Sequence, residues 1–388
     1  MKQHSLAFTR RSFLAGASAV AGVALIVPLR LGPALAQQAG ASRMPQSFIR
    51  IDTNGQVTFL LPTCEMGQGT HTGQAQILAE ELGADWSGIA VDMPKQPMPD
   101  YRLPFGQMRS VGSYGIRFWH DPLRRAAAQA REMLTQAAAA RLGVDPAALR
   151  AENGSIVHPG SGRRIPFGDL VEDAMALPVP ENPGLRPDSE RTLTGRTVPR
   201  LDTPAKITGR AIYSIDVRRD GMLHGAVRLA PVYAADVESI DETSVSGMPG
   251  VAAVVRVPRG AVVVADSWWR AKQAADALDI AFTRTAADSL STGEIDARLH
   301  AALDRPDVPV TTLRGDASAT LSTQGRVVDA DYSVPLLTHA SMEPICCTAE
   351  STADRTELWI GTQGHDVLRM TLERALQVPA ERLVINTT

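Results

Sequence analysis

Gly67, Gly69 and Gly73 fall at G-x-G-x-x-x-G spacing, with Gln68, Thr70 and Thr72 between them. They stand in CEMGQGTHTGQAQILAEELGADW (Cys64–Trp86), directly ahead of an apolar, acidic helical pattern. Glycines let backbone amides approach a ligand closely, and a helix N-terminus favours an anionic or hydrogen-bond-accepting group. Gln68 adds a side-chain amide, and Thr70 and Thr72 add hydroxyls. The dinucleotide fingerprint needs different glycine spacing and an acid about 20 residues on, and the Walker loop needs Gly-Lys-Ser/Thr. Neither is present. The same residues would also make a tight strand-to-helix turn with no ligand, and both readings stand at this point.

Three further stretches carry chemistry-bearing residues. RSVGSYG (Arg109–Gly115) is a second small-residue loop with hydroxyls. It is not a G-x-S-x-G nucleophile elbow, and no Ser-His-Asp set accompanies it, so a polar turn is the alternative. THASMEPICCTAE (Thr338–Glu350) holds His339 and Glu343 four apart, a spacing for metal ligands only on a helix. Pro344 and the flanking β pattern argue against a helix and for a buried structural pair. WIGTQGHD places Gln363 just after a strand-like run, where an amide can point into a cleft. The three cysteines, Cys64, Cys346 and Cys347, are too few for a disulfide scaffold or a four-cysteine iron–sulfur cluster. The adjacent Cys346 and Cys347 read as buried thiols.

The elements that must position these groups follow from pattern. SFIRIDTNGQVTFLLP alternates around Asn54-Gly55 as a hairpin. A helix with Ile77, Leu78 and Leu82 on one face ends at Gly83, and a second starts near Asp121-Pro122 and closes at Gly143. A short helix, a hairpin around Asn153-Gly154 and another helix lead to the Pro-rich linker Pro178–Pro187. From Pro199, AIYSIDV, LHGAVRL, VAAVVRV and GAVVVA read as strands and DSWWRAKQAADALD as a helix. Residues 284–325 are polar and weakly patterned. GRVVDADYSVP, TELWIGTQ and ERLVINTT read as strands and DVLRMTLERAL as a helix.

Length and composition bound the rest. A chain of 388 residues suggests two or three domains. Its 39 basic and 42 acidic residues nearly cancel, which gives no electrostatic case for nucleic acid. TRRSFLAGASAVAGVALIV, with Arg10–Arg11 and Phe13–Leu14, followed by Ala34–Ala36, reads as a twin-arginine export signal over 1–36. Its apolar run is shorter than the roughly 20 residues needed to span a bilayer, and no later run is long enough. The expectation is a periplasmic protein with no integral membrane span.

EMGQGTHT…AEELGADW, RLDTPAKITGRAIYSIDV…GMLHGAV, ADSWWRA, HASMEP..CTAE and WIGTQ occur in this order. Together they resemble the large, molybdopterin-binding subunit of the xanthine dehydrogenase family, nearest the isoquinoline 1-oxidoreductase β-subunit group. The resemblance covers about residue 46 to 388. It implies a multi-domain α+β fold with an α/β hammerhead-like domain between parts of a molybdopterin-binding region. The divisions it implies are 37–195 and 326–388 for that region, 196–285 for the hammerhead-like domain and 286–325 for a connector.

By resemblance, Gly67, Gln68, Gly69 and Thr70 contact the cofactor, with Gly112 and Ser113 in a second contact loop. Gln363 matches the glutamine near the molybdenum's apical oxygen. The implied cofactor is molybdenum-molybdopterin, with the cytosine dinucleotide form as one alternative, and 2Fe-2S clusters sit on a small partner subunit. The implied reaction oxidises an N-heteroaromatic or aldehyde with water-derived oxygen. No residue is read as a direct metal ligand. The family's Gly-Gly-Gly-Phe-Gly loop and its catalytic Gly-Glu segment have no match, so no general-base glutamate is assigned. The expectation is the N-terminal half of a subunit that needs its C-terminal half or a complementary chain, and is inactive alone. The alternatives are a non-catalytic remnant and, more distantly, a periplasmic binding module.

Overall fold

The computed structural model describes residues 24–26, 48–95, 99–307, 314–323 and 325–388. Arg10–Arg11, Phe13–Leu14 and Ala34–Ala36 of the export-signal reading lie outside them, whereas Ala24–Ile26 of the same expected segment pair as a strand with Arg50–Asp52. The architecture is α+β with small sheets, as the sequence leads one to expect. Met1–Val217 and Ser341–Thr388 make one compact unit, and Arg218–Ala340 makes a second. Among the described residues no helix is long and apolar enough to cross a membrane.

The first unit opens with β1 (Ala24–Ile26), β2 (Ile49–Asp52) and β3 (Val57–Leu60). The β2–β3 hairpin turns at Asn54-Gly55: Gly55 takes φ +86°, and the Asn54 side chain accepts from the Gln56 amide at 2.9 Å. The chain then enters α1 (Thr70–Leu82) and returns as β4 (Ile89–Asp92), parallel to β3 in a four-stranded sheet ordered β1-β2-β3-β4. The glycine loop is therefore the first turn of a β-α-β unit. Gly83 ends α1 at φ +78° with its amide on Ala79 O, a left-handed cap that a side chain would strain.

A short α2 (Tyr114–Arg117) precedes α3 (His120–Leu142). Helix α3 starts one residue before the expected Asp121, which pairs with His120 Nδ1 at 2.7 Å rather than capping. Pro122 sits in the first turn, where a missing N–H costs nothing. Leu78 and Leu82 of α1 and Leu123, Ala127 and Leu134 of α3 are buried in one core. The three-stranded meander β5 (Arg150–Glu152), β6 (Ser155–His158), β7 (Arg163–Pro166) turns at Asn153-Gly154, and α4 (Phe167–Met175) buries Phe167, Leu170 and Val171.

Two buried carboxylates of α1 fasten the Pro-rich linker and the residues just after it. Glu80 accepts from the Thr192, Leu193 and Thr194 amides at 2.5–3.0 Å. Glu81 meets Arg124 at 3.0 Å, Arg131 at 2.5 Å and the Arg186 amide at 2.7 Å. Beyond the linker, α5 (Thr203–Ile207) follows. The stretch AIYSIDV is not a strand. It makes a single 3-10 turn, Ser214–Asp216, closed by Asp216 on the Tyr213 amide at 3.1 Å. Its apolar alternation leaves Ile212 and Ile215 exposed, without the neighbouring strand that burial would require.

The second unit holds β8 (His224–Leu229), β9 (Val237–Asp241), β10 (Val251–Val257), β11 (Gly260–Ala265), α6 (Trp268–Ala277) and β12 (Asp279–Phe282). Its sheets run β10-β11-β8 and β12-β9. Val237, Val263, Ala271, Ala274, Leu278 and Ile280 form its core. Helices α7 (Thr292–Leu303) and α8 (Ala317–Thr323) follow. The expected strand in GRVVDADYSVP does not form, and Val328, Tyr332 and Val334 are exposed there.

The chain re-enters the first unit with β13 (Cys347–Ser351), β14 (Thr356–Ile360), α9 (His365–Leu376) and β15 (Leu383–Thr387). β15 lies parallel to β14, so β14-α9-β15 is a second β-α-β unit. Gln363 occupies its first turn, as the glycine loop does in β3-α1-β4. Open α/β sheets bind ligands just outside the carboxyl ends of their strands, and both candidate loops sit there.

Candidate functional site

Gly67 and Gly69 take φ +102° and +81°, a left-handed path that only glycine follows without strain. A side chain at either would meet nothing within 4 Å, so the backbone path rather than crowding demands glycine. Their amides are not free. Glu65 Oε1 accepts from Gly67 N at 2.8 Å and Gly69 N at 2.9 Å, and Oε2 accepts from His71 N at 3.1 Å. Arg200 Nη1 donates to Gly67 O at 2.7 Å, and its Nη2 lies 3.2 Å from Glu65 Oε1. Burial pushes the Glu65 carboxyl up, but the three amide bonds and His71 outweigh it, and the net effect lies below the usual carboxylate range. A depressed acid contributes stability above its unfolded value and loses it as pH falls through the folded value, so the loop is closed at neutral pH.

The side chains around the loop also turn inward. Gln68 Oε1 accepts from the Met66 amide at 2.6 Å, and its Nε2 donates to Cys64 O at 2.9 Å. The side-chain amide that Gln68 was expected to offer a ligand is spent on closing its own loop. Thr72 Oγ1 accepts from the Leu201 amide at 3.1 Å, and Thr70 is buried. His71 Nε2 bonds Thr63 O at 2.8 Å, and burial holds its imidazole below the ordinary value and so neutral at pH 7.

Ser110 joins the loops. Its Oγ accepts from the Cys64 amide at 2.8 Å, and its own amide donates to Gln363 O at 2.7 Å. The glycine loop, the Arg109–Gly115 loop and the Gln363 turn therefore meet at one residue. Gln74, fully buried, adds a second tie: it accepts from Thr63 Oγ1 at 3.1 Å and donates to Gly115 O at 2.6 Å. Gly112 and Ser113 take φ +58° and +56°, and both are exposed, as are Gly67, Gln68 and Gln363.

Asp366 seats the Gln363 turn. Its Oδ2 accepts from Arg102 Nε at 2.9 Å and from the Met108 amide at 3.1 Å, while Oδ1 is buried without a hydrogen-bond partner among the described residues. Arg369, one helical turn on, donates to Ala380 O and Leu383 O at 2.7 Å each and so ties α9 to β15. Burial pushes the neighbouring His365 imidazole down to about 4 against the pull of Asp366, and its ring bonds Thr387 Oγ1. A cleft of about 650 Å³ shares Asp366 with this anchor and is lined by Arg102, Gln107, Arg369 and Glu373 among others.

The remaining sequence candidates do not join this junction. His339 is exposed, not half of a buried pair, because its segment forms no strand or helix to cover it. Glu343 is half-buried and accepts from the Ile215 amide at 2.9 Å. Cys346 is half-buried and Cys347 exposed, because β13 pairs on one side only, so neither is the expected buried thiol. Cys64 is buried, and burial pushes its thiol up. Among the described residues no group of three His, Cys, Asp or Glu could hold a metal ion directly. Sequence reasoning missed Glu65, Ser110, Gln74, Arg200 and Asp366. Only Glu65 carried a signal, an acid two residues ahead of a glycine and within reach of its amide.

Residues 12–212 and 301–388 each match a family described as a molybdopterin cofactor-binding domain. The chain is 32% identical over 352 residues to a nicotinate dehydrogenase subunit of Pseudomonas putida, covering 87% of this chain and 29% of that one. It is 27% identical to the beta subunit of isoquinoline 1-oxidoreductase from Brevundimonas diminuta, covering 83% of this chain and 47% of the relative. Among solved structures, quinoline 2-oxidoreductase from Pseudomonas putida 86 aligns with 50% of this chain and 30% of its own, at TM-score 0.39 and 21% identity. The chain thus spans less than half the length of these relatives. The two matched regions are the ones that Ser110 bonds together.

Proposed function

The chain belongs to the molybdopterin-binding subunits of the xanthine dehydrogenase family, and from that premise we propose that its three joined loops form part of the cofactor site of a molybdenum hydroxylase. The observation that carries the reading is the pair of hydrogen bonds at Ser110, one from the Cys64 amide in the first matched region and one to Gln363 O in the second. It draws loops from both regions to the strand ends where such sheets bind ligands.

The residues present suit the cofactor. Left-handed glycines leave open space at Gly67 and Gly69, where a side chain would otherwise stand between backbone and ligand. Ser113 and Gln363 are exposed hydrogen-bonding groups on the loops that Ser110 joins to them. In this reading Gly67, Gln68, Gly69 and Thr70, with Gly112, Ser113 and Gln363, would hold the cofactor. The metal would be carried by the pterin rather than by side chains. When bound, the cofactor supplies the redox centre, and the protein supplies binding, orientation and electrostatics. The cytosine dinucleotide form is the nucleotide variant proposed.

The glutamates placed in the first unit's interior already have structural duties. Glu65 holds the glycine loop, Glu81 the linker and Glu80 the residues just after it. The proposal gives none of them a proton-transfer role. It places the general base and the facing cofactor loops on a C-terminal half or complementary chain.

The proposed substrate is an N-heteroaromatic compound or an aldehyde, the former suggested by relatives named for nicotinate and isoquinoline. Electrons would pass to a small 2Fe-2S subunit, as the family resemblance implies. Export to the periplasm by the twin-arginine route rests on the Arg10–Arg11 segment.

The test is turnover of nicotinate or isoquinoline in ¹⁸O-labelled water by the chain assembled with its iron–sulfur subunit and any complementary chain. The expected product carries one labelled oxygen. A product without label from an active assembly would overturn the hydroxylase reading. The 388-residue chain alone is expected to be inactive.

A further inference from the structure

The spacing of the glycine loop offers amides to an anion, yet the anion position is filled from within. Glu65 spans Gly67 N, Gly69 N and His71 N at 2.8, 2.9 and 3.1 Å. Its side chain is only 9% exposed. Arg200 sets a guanidinium against it at 3.2 Å and grips the loop carbonyl of Gly67 at 2.7 Å. Asp202 steadies that guanidinium through Nε at 2.9 Å and Nη2 at 2.7 Å. Charge-assisted hydrogen bonds of this kind are roughly twice as strong as neutral ones. A second anion at the same amides would face a buried carboxylate of like charge.

We propose that Glu65, braced by Arg200, is a positioning residue for the cofactor: its carboxylate stands where an external anion would sit and holds Gly67–Gln68–Gly69 in their left-handed path before the cofactor arrives. This rests on the molybdopterin reading of the site. It adds that the Gly67 and Gly69 amides are not the cofactor's phosphate-binding groups. The loop meets the cofactor already shaped, through its outer rim, and little ordering cost remains to be met on binding.

The experiment uses the full chain without cofactor and reads amide hydrogen exchange at Gly67, Gly69 and His71. Glu65→Ala is expected to raise exchange there at least tenfold while the amides in the middle of α3 stay protected. Sodium formate, a carboxylate small enough for the vacated space, should restore protection in Glu65→Ala and leave the wild type unchanged. Glu65→Gln retains the shape and one acceptor oxygen but not the charge opposite Arg200. It should raise exchange several-fold with a smaller fall in melting temperature than Glu65→Ala, which keeps the test valid if Glu65→Ala unfolds.

Unchanged exchange in both variants would overturn the proposal, as would a rise that formate does not reverse. In the assembled protein, Glu65→Ala should retain less than a tenth of the wild-type molybdenum. A loaded wild type with an equally loaded Glu65→Ala would sink the positioning role alone. A wild type without molybdenum would sink the cofactor reading alone, since the exchange measurement still reports on the loop.

Discussion

Replacing Glu81 by alanine is expected to cost about 3–5 kcal/mol of stability, the usual penalty for removing one side of a buried ion pair. The Glu81 side chain is 1% exposed, and Arg124 and Arg131 against it are 14% exposed each. Arg186 completes the cluster, giving its amide to Glu81 Oε1 at 2.7 Å and its Nε to Glu81 O at 3.2 Å. Burial and the charge of Arg131 already press the Arg186 guanidinium below its ordinary value, with Glu81 opposing them. Without that carboxylate, cations from α3 and the linker face one another, and only the charges of Glu80 and Glu190 still act on Arg186. Urea unfolding followed through the buried Trp119 would measure the effect. A loss under about 1 kcal/mol, the worth of an exposed pair, would contradict it.

Gly83→Ala is expected to cost about 2–5 kcal/mol, from two separate causes that add at one position. At φ +78° the residue is left-handed, and a new Cβ would lie 2.6 Å from Ala151 O and 2.8 Å from Ala151 C. Both are backbone atoms of β5, and Gly154 N is tied back to Gly83 O at 2.9 Å, so the contact cannot relax by a rotamer change. Gly143 is the control. It ends α3 at φ +64° with open space around it, so its alanine variant should show the left-handed cost alone, about 1–2 kcal/mol. Equal losses for the two variants would contradict the packing argument.

The features legible in the sequence were those set by local rules. Asn54-Gly55 marked its hairpin, and Gly83 and Gly143 marked helix ends, because each needs a backbone path that few residues tolerate. β9 escaped notice because its partner β12 lies across β10, β11 and α6, and pairing at that separation leaves no local trace. AIYSIDV and GRVVDADYSVP misled in the opposite sense. Their apolar alternation suits a strand, but a strand needs a neighbour to bond, and neither segment has one among the described residues.

The site divides the same way. The glycines, Gly112, Ser113 and Gln363 could be singled out by type and setting. The groups that arrange them could not, because they act across the chain. Ser110 reaches a residue 46 positions away, and Arg200 reaches one 135 away. The orientation of Gln68 was also beyond pattern reading, since an amide that could face a ligand instead satisfies Met66 and Cys64 of its own loop.

The measurement that tests the central claim most directly is the molybdenum and pterin content of the assembled protein, for the wild type and for Ser110→Ala. The substitution leaves the Cys64 amide without its acceptor, at a cost of about 1–3 kcal/mol to the junction of the three loops. About one molybdenum and one pterin per wild-type chain are expected. A roughly tenfold lower content is expected in a folded Ser110→Ala protein, since each 1.4 kcal/mol is a factor of ten. A wild type that carries neither molybdenum nor pterin, or a Ser110→Ala protein loaded as fully as the wild type, would contradict the account.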